Sequence, residues 1–195
     1  MITEQLQKDL EYTFGKLSHA EVDKLKNARI LITGSAGFLG FYFIHFLLHF
    51  RNKLHLKQVI CLDNFMLGYP KWMEHLPEEF VIKKFDIIHD DITTIPEAES
   101  VDYIIHMASI ASPIFYRKYP IETIDANIWG LRGLLDFYKE KNIKGFLFFS
   151  SSEIYGDPIP EAVPTNEEYH GNVSCTGPRA CYDEAKRFGE TICRL

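Results

Sequence analysis

The sequence predicts an α/β fold, a doubly wound parallel sheet with helices on both faces. Short apolar runs with strand character alternate along the chain with longer segments of helical period, the pattern of consecutive β-α units. A glycine-rich turn joins the first run to the first long helix, and the second run ends on an acidic residue. Because such units cross over in a right-handed sense, they build one open sheet. The expected architecture is therefore of the Rossmann type.

The elements follow from apolar runs and helical spacing. Apolar runs predict strands over residues 30–32, 58–62, 80–85, 101–106 and 145–149. Helical spacing predicts helices over residues 38–51 and 121–141, and a last helix from about Pro178. Residues 64–78 are expected to form a loop with a helical turn, and residues 110–120 a proline-bounded loop.

The first 28 residues stand apart from this pattern. Their apolar residues recur at helical spacing, which predicts two short amphipathic helices broken near Gly15, with Ser18 as the N-cap of the second. We expect residues 1–28 to form a helical extension packed on the edge of one domain, residues 29–195.

Composition excludes several classes of function. Among the 195 residues, 46% are hydrophobic and 25% charged, which is ordinary globular composition. The net charge is −6 without a basic stripe, so no nucleic-acid partner is expected. The most apolar run, residues 38–50, is too short to cross a bilayer, and the N-terminus lacks the apolar core of a signal peptide. Four scattered cysteines predict reduced thiols and no metal site, so we expect a cytoplasmic protein without a membrane partner.

The turn after the first strand carries the first functional signal. Residues 29–40 read RILITGSAGFLG, a buried strand that breaks on glycine and restarts as a helix. The N–H groups at the helix start lack internal partners and, with the positive end of the helix dipole, form a site for a phosphate group. Gly34 permits the tight turn, Gly37 lets a pyrophosphate approach the backbone, and Gly40 lets the helix pack against the strand. This context is the one that the dinucleotide fingerprint requires.

The acidic residue at the end of the second strand indicates which dinucleotide binds. Asp63 is placed to accept hydrogen bonds from both hydroxyls of the adenosine ribose. It would repel a 2′-phosphate, and no arginine or lysine directly follows it. We therefore predict NAD and not NADP. A polar–apolar pair, Asp86 and Ile87, ends the third strand and fits either an adenine contact or a plain turn.

Two residues on the last predicted helix have the spacing of a proton-transfer pair. Tyr182 and Lys186 are four residues apart, so both project from one helix face. A lysine ammonium beside a phenol lowers the pKa of the phenol, and the phenolate can take a proton from a substrate alcohol as hydride leaves for a nicotinamide ring. Serine hydroxyls at residues 150–152 follow the fifth strand and can share that hydrogen-bond network. The spacing is common by chance, so its weight depends on the other motifs.

Four motifs occur together: TGSAGFLG at residues 33–40, a strand that ends on Asp63, SSSEIYGDP at residues 150–158 and YDEAK at residues 182–186. Together they resemble the extended short-chain dehydrogenase/reductase family of nucleotide-sugar enzymes, the NAD-dependent epimerase/dehydratase family. Within it, ASP at residues 111–113 and GPRACYDEAKR at residues 177–187 resemble the UDP-glucuronate decarboxylase group. The resemblance runs from about Arg29 to the C-terminus.

The resemblance implies a role for each matching residue. As catalytic residues, Tyr182 is the base, Lys186 positions it and the nicotinamide ribose, and Ser151 bonds the sugar hydroxyl with Glu153 beside it. The cofactor-binding residues are Gly34, Gly37, Phe38, Leu39, Gly40, Asp63, Asn64, Asp86, Ile87, Met107, Ala108, Ser109, Tyr182 and Lys186. The substrate-binding residues are Pro113, Tyr116, Ser151, Ser152, Glu153 and Arg179.

The implied reaction is oxidation of the sugar C4 hydroxyl by NAD⁺, loss of CO₂ from the resulting 4-keto acid, and return of the hydride. A 4,6-dehydratase resembling this family would carry an Asp-Glu pair where this chain has Ser152 and Glu153, and a 4-epimerase typically has small or apolar residues in place of Glu153. Both reactions stay open as alternatives. A non-catalytic NAD-binding fragment is the third.

Two features of the sequence depart from the family pattern. Residues 172–175 read Asn-Val-Ser-Cys where the decarboxylase group usually shows His-Val-Asn-Pro, so other uronic acids or another nucleotide stay open beside the expected UDP-sugar. The sequence ends at Leu195, inside the helix that bears Tyr182, and we expect a fragment that lacks the C-terminal substrate lobe. Since the helices over residues 121–141 and from about 178 pair across a two-fold axis in this family, a homodimer is expected.

Overall fold

A parallel sheet organises the chain. The computed structural model describes residues 3–195, and within them five strands form one sheet in the order β3-β2-β1-β4-β5. Every neighbouring pair is parallel, so the predicted fold class is confirmed. The strands are β1 (Arg29–Thr33), β2 (Gln58–Asp63), β3 (Phe80–Lys84), β4 (Tyr103–His106) and β5 (Gly145–Phe148).

Helices connect the strands on both faces of the sheet. The α-helices are α1 (Glu4–Phe14), α2 (His19–Leu25), α3 (Phe38–Leu54), α4 (Pro113–Lys118), α5 (Pro120–Asp125), α6 (Leu131–Tyr138) and α7 (Ala180–Arg194). Short 3₁₀ turns lie at Lys71–His75, Ile92–Thr94, Pro96–Ser100, Ser152–Tyr155 and Pro160–Ala162. None of the helices within residues 3–195 is long and apolar enough to cross a lipid bilayer.

The core lies on the two faces of the sheet, as alternation along the strands requires. In β1, Ile30 and Ile32 point to the α3 side, and Leu31 points to the side covered by α6. All three side chains are buried, which explains why β1 is apolar without interruption. Because all five strands run parallel, their carboxyl ends lie along the same edge of the sheet. Ligands bind at this edge in open α/β sheets.

The N-terminal helices pack against α3 on the outer layer. The two predicted helices are confirmed, and Ser18 caps the second in a reciprocal capping box with Glu21. Phe14 stacks on Phe50 of α3 with ring centroids 4.1 Å apart. The main-chain oxygen of Lys24 accepts a hydrogen bond from the Tyr103 hydroxyl, which ties α2 to β4. The division between this extension and the remaining domain stays a prediction.

The connection from β4 to β5 differs from the expectation. Residues 110–120 were expected to form a loop, but they contain α4, because Pro113 occupies the first helical turn, where its missing N–H leaves no bond unmade. The single helix predicted over residues 121–141 is α5 and α6 joined by a π-helical turn, Ala126–Gly130. Such turns interrupt helices frequently at functional sites.

Candidate cofactor and active site

A cavity of about 370 Å³ opens at the carboxyl ends of the strands. Five segments line it: the turn after β1, the end of β2 with the loop that follows, the turn after β3, the segment from β4 into α4, and Ala126 of the π-helical turn. Twelve of the residues assigned to the cofactor from sequence lie in its wall: Gly34, Gly37, Phe38, Leu39, Gly40, Asp63, Asn64, Asp86, Ile87, Met107, Ala108 and Ser109. The structure thus brings together residues that are spread over 76 positions of sequence, from 34 to 109.

The three glycines of the turn meet different constraints. Gly34 has a φ of +70°, and a Cβ there would lie 2.7 Å from the Ala108 nitrogen. At Gly40 a Cβ would lie 2.2 Å from the Ser35 carbonyl oxygen, so only glycine lets α3 start this close to the turn. Gly37 has an ordinary φ of −77°, and a Cβ there would make one tight contact, 3.2 Å from the Gly34 oxygen. Gly37 is therefore required less by the fold than by whatever occupies the cavity.

The start of α3 is open for an anion. Gly37 is the N-cap and provides no side-chain hydrogen bond to the helix, and the first turn carries no acidic residue. The free N–H groups of that turn and the helix dipole favour a negatively charged group. This arrangement fits the diphosphate of a dinucleotide.

Asp63 is fixed by the glycine turn itself. One of its carboxylate oxygens accepts a hydrogen bond from the Ala36 N–H at 2.9 Å, and the other from the Phe65 N–H at 2.8 Å. Each oxygen keeps a second acceptor position, and Asp63 lines the cavity. No lysine, arginine or histidine is among the described residues that line it, so the cavity offers no partner for a 2′-phosphate.

Tyr182 and Lys186 are both buried on the inner face of α7. The Lys186 ammonium donates a hydrogen bond to the Phe149 carbonyl oxygen at 2.7 Å and lies 4.7 Å from the centre of the Phe148 ring. Burial lowers the pKa of Lys186 to about 8. Phe149 directly follows β5, so its hydrogen bond with Lys186 holds this face of α7 at the carboxyl ends of the strands. Tyr182 lies four residues before Lys186 on the same face.

The protonation of Tyr182 differs from the expectation. Burial raises the pKa of Tyr182 above its ordinary value, and hydrogen bonding with the Ser151 side chain opposes that rise. Lys186 does not act as the expected activating charge, because its ammonium lies 5.9 Å from the centre of the Tyr182 ring and is directed at the Phe149 carbonyl. In this structure Tyr182 is a neutral phenol that can donate a proton.

The residues assigned to the substrate form a tighter cluster than the sequence suggests. Ser151 caps the 3₁₀ turn Ser152–Tyr155 and accepts a hydrogen bond from the Glu153 N–H at 3.3 Å. Arg179 forms an ion pair with Glu153, and its Nε lies 3.6 Å from an Asp183 oxygen. Burial raises the pKa of Asp183 above its ordinary value, and Arg179 opposes that rise.

Pro113 and Tyr116, the two other residues assigned to the substrate, lie on α4. Tyr116 is only 2% exposed, and its ring stacks on the ring of Tyr182. Phe115, the residue before it, lines the cofactor cavity. Helix α4 therefore connects the cavity with the Tyr182 cluster, although contact of either residue with a substrate stays a prediction.

One buried polar pair at this edge was missed by the sequence reasoning. His106, the last residue of β4, is 1% exposed, and its Nδ1 lies 2.7 Å from the Thr33 hydroxyl. The same hydroxyl oxygen accepts a hydrogen bond from the Ala108 N–H. Burial and the nearby Lys186 charge lower the pKa of His106 to about 3. The available signal was a histidine at the end of an otherwise apolar strand.

His106 predicts acid sensitivity of the fold. Below pH 6.5 the unfolded chain binds a proton at this histidine that the folded chain excludes until about pH 3, so stability is lost as pH falls through this window. Between pH 7 and pH 5, the free energy of unfolding of the native chain is expected to fall by about 2 kcal/mol more than that of His106→Asn, measured by urea denaturation. The exposed His89→Asn should fall like the native chain. An equal loss in His106→Asn and the native chain would contradict a buried neutral histidine.

Comparison with known proteins places the fold and motifs in a family. A profile of the NAD dependent epimerase/dehydratase family matches residues 30–195. UDP-glucuronic acid decarboxylase 6 of Arabidopsis thaliana is 39% identical over 170 residues, which cover 85% of this chain and 45% of that protein. UDP-glucuronic acid decarboxylase 1 of Danio rerio is 41% identical over 167 residues, covering 85% and 37%. The chain thus spans less than half the length of these curated relatives.

Solved structures agree with this assignment. The UDP-N-acetylglucosamine 4-epimerase of Methanobrevibacter ruminantium M1, in complex with UDP-N-acetylmuramic acid, superposes with a TM-score of 0.68 and 27% identity, covering 87% of this chain and 50% of that one. The UDP-glucose 4-epimerase of Bifidobacterium longum, in complex with NAD⁺ and UDP, gives 0.66 and 28%, covering 85% and 48%. The chain belongs to the NAD dependent epimerase/dehydratase family.

Proposed function

We propose that this protein is an NAD-dependent nucleotide-sugar decarboxylase acting on UDP-glucuronate or a related uronic acid. The observation that carries the proposal is the cluster at the carboxyl edge of the sheet, where Ser151 and Glu153 lie at one turn and Ser151 faces Tyr182. The relatives named UDP-glucuronic acid decarboxylase, at 39% and 41% identity, support it. We assign this activity to the whole protein, because the 195-residue chain spans less than half the length of those relatives.

The cavity supports NAD as the cofactor. The uncapped start of α3 would hold the diphosphate, Asp63 the adenosine ribose, and the wall formed by Asp86 and Ile87 the adenine. When bound, NAD supplies the acceptor and later the donor of the hydride at C4 of the sugar. Asp63 and the absence of a basic residue from the described cavity wall favour it over NADP.

The protein residues would handle the protons. Tyr182 first gives its proton to bulk water, and as the phenolate it then takes the proton of the C4 hydroxyl as the C4–H bond breaks. Ser151 holds the same hydroxyl by a hydrogen bond. In the 4-keto acid, the electron pair of the bond to the carboxylate moves toward the C4 carbonyl, and CO₂ leaves. The resulting enolate takes a proton from water at C5, and the Tyr182 phenol returns its proton to the C4 oxygen as the hydride comes back to C4. Lys186 donates a hydrogen bond to the Phe149 carbonyl and so holds α7, with Tyr182 on it, against the segment that follows β5.

The reaction is tested with UDP-glucuronate carrying ¹³C at C6. A decarboxylase releases ¹³CO₂ and forms UDP-xylose, both visible by NMR, whereas a 4-epimerase returns UDP-galacturonate with its label retained. UDP-glucose is the control, since it has no carboxylate to lose; a 4,6-dehydratase would convert it to a 4-keto-6-deoxy sugar. Formation of UDP-galacturonate without CO₂ would replace the proposal by the epimerase alternative, which the solved epimerase neighbours favour.

NAD binding without turnover is the second candidate for the 195-residue chain. It is favoured by the engagement of Arg179, the arginine assigned to the substrate, with Glu153 and Asp183. Binding of NAD by a chain that turns over neither UDP-glucuronate nor UDP-glucose would establish it. Measurable turnover by residues 1–195 would exclude it.

We also propose that the protein is a cytoplasmic homodimer. Large apolar side chains are exposed on the helices that follow α4 and on α7: Ile121 is 63% exposed, Trp129 66% and Phe188 47%. Exposed apolar side chains that lie together on neighbouring helices mark interaction surfaces, whereas single exposed apolar residues are ordinary. Light scattering at micromolar concentration is expected to give twice the chain mass, and a monomeric mass would contradict the dimer. Cell fractionation tests the location.

A further inference from the structure

The ring of Tyr116 covers the ring of Tyr182. The two ring centroids are 5.2 Å apart and the ring planes differ by 10°, an offset-stacked geometry. Tyr116 is 2% exposed and Tyr182 6% exposed. One face of the proposed base is therefore closed to solvent by another aromatic side chain.

Tyr116 is held in place by more than the stacking. Pro113 starts α4 with a fixed φ, which sets the direction of this short helix. The carbonyl oxygen of Tyr116 accepts a contact from the Cys181 sulfur at 3.5 Å, and Cys181 is the residue before Tyr182. Ring and main chain of Tyr116 thus both contact the first turn of α7, which carries the proposed base.

We propose that Tyr116 is a positioning residue for Tyr182: its stacked ring fixes the plane of the phenol and keeps water from it, so that the hydroxyl faces Ser151 and the sugar. This role rests on the proposed function, in which Tyr182 is the base. It differs from the role that the resemblance implies for Tyr116, a contact with the substrate, because a ring that is 2% exposed has almost no surface to offer a ligand.

The groups around Tyr182 agree with this role. Ser151 approaches from the segment after β5, Tyr116 from α4, and Asp183 and Lys186 lie on the same helix as the phenol. Burial contributes most to the raised pKa of Tyr182, and Tyr116 and Asp183 raise it further. The Tyr116 ring shields the Tyr182 phenol from water, and water stabilises the phenolate. Removal of that ring should therefore bring the pKa of Tyr182 back toward its ordinary value.

The proposal is tested by NMR on the full 195-residue chain labelled with ¹³C at tyrosine Cζ. The Tyr182 signal is identified by its loss in Tyr182→Phe, and its titration midpoint is then measured in Tyr116→Phe, which keeps the ring, and in Tyr116→Leu, which removes it. The native midpoint should lie above about 10, and Tyr116→Phe, which loses only the charge effect of the Tyr116 hydroxyl, should titrate slightly lower. Tyr116→Leu should titrate at least about half a pH unit below Tyr116→Phe. Tyr138→Leu, at a buried tyrosine of α6, is the control and should leave the midpoint unchanged.

An unchanged midpoint in a folded Tyr116→Leu chain would overturn the proposal. If that variant does not fold, Tyr116→Met, with an unbranched side chain of similar reach, provides the same test. In the active protein, Tyr116→Leu should lower kcat with little change in KM, whereas a rise in KM in Tyr116→Phe would show a substrate contact by the hydroxyl and overturn the positioning role. The titration needs neither cofactor nor substrate, so absence of turnover by the whole protein would contradict the proposed function alone.

Discussion

Alanine at Gly37 is expected to weaken NAD binding while leaving the fold intact. The new methyl group would make one tight contact, 3.2 Å from the Gly34 oxygen. The backbone φ of residue 37 is −77°, which any residue can adopt. It would, however, stand in the cavity where a diphosphate approaches the start of α3. We expect NAD affinity to fall at least about tenfold, or about 1.4 kcal/mol, by isothermal titration calorimetry. The free energy of unfolding should change by less than about 1 kcal/mol.

Gly133→Ala provides the matched control. Gly133 lies in α6, and a methyl group added there would have no neighbouring atom within 4 Å, so alanine should leave NAD affinity unchanged and stabilise the helix by up to about 1 kcal/mol. Gly40→Ala should instead prevent folding, because its Cβ would lie 2.2 Å from the Ser35 oxygen. Full NAD affinity in Gly37→Ala would show that the diphosphate does not bind at this turn.

Phenylalanine at Tyr182 is expected to lower the turnover of UDP-glucuronate by about 10²- to 10⁴-fold, because it removes the proton acceptor and keeps the ring. The ring should stay stacked on Tyr116, so the free energy of unfolding and the affinity for NAD should be nearly those of the native chain. Steady-state kinetics and calorimetry measure the two quantities separately.

Tyr138→Phe is the control for this substitution. Tyr138 is equally buried and its hydroxyl donates to the Ala98 carbonyl at 3.0 Å, far along the chain from the candidate site. Its loss should cost about 1 kcal/mol of stability and leave kcat unchanged. Native turnover in Tyr182→Phe would remove Tyr182 from the mechanism, and another group would have to accept the C4 proton.

The cofactor side of the site was predictable because its signals are local. Within one turn, glycine is required at residue 34 by its φ and at residue 40 by close backbone approach, and Gly37 lies between them. Asp63 marks the end of a strand whose interior, residues 59–62, is apolar, and strand ends of a parallel sheet share one edge. Fold class and cavity wall therefore follow from short segments and one topological rule.

The proton-transfer side depends on contacts between distant segments. Tyr116 and Tyr182 are far apart in sequence, and no pattern in either segment indicates that their rings stack. The same holds for the burial that raises the pKa of Tyr182, and for Arg179, which the resemblance assigns to the substrate and which contacts two carboxylates in the structure. Helix α4 was missed because its two bounding prolines resemble a loop, although one of them begins the helix.

The most direct measurement is a calorimetric titration of the 195-residue chain with NAD⁺ and, separately, with NADP⁺. The site predicts one NAD⁺ per chain, bound at the turn that follows β1, and at least about tenfold weaker binding of NADP⁺, because Asp63 repels a 2′-phosphate and the described cavity wall holds no basic residue. Absence of NAD⁺ binding by the folded chain, or equal affinity for the two dinucleotides, would contradict the account.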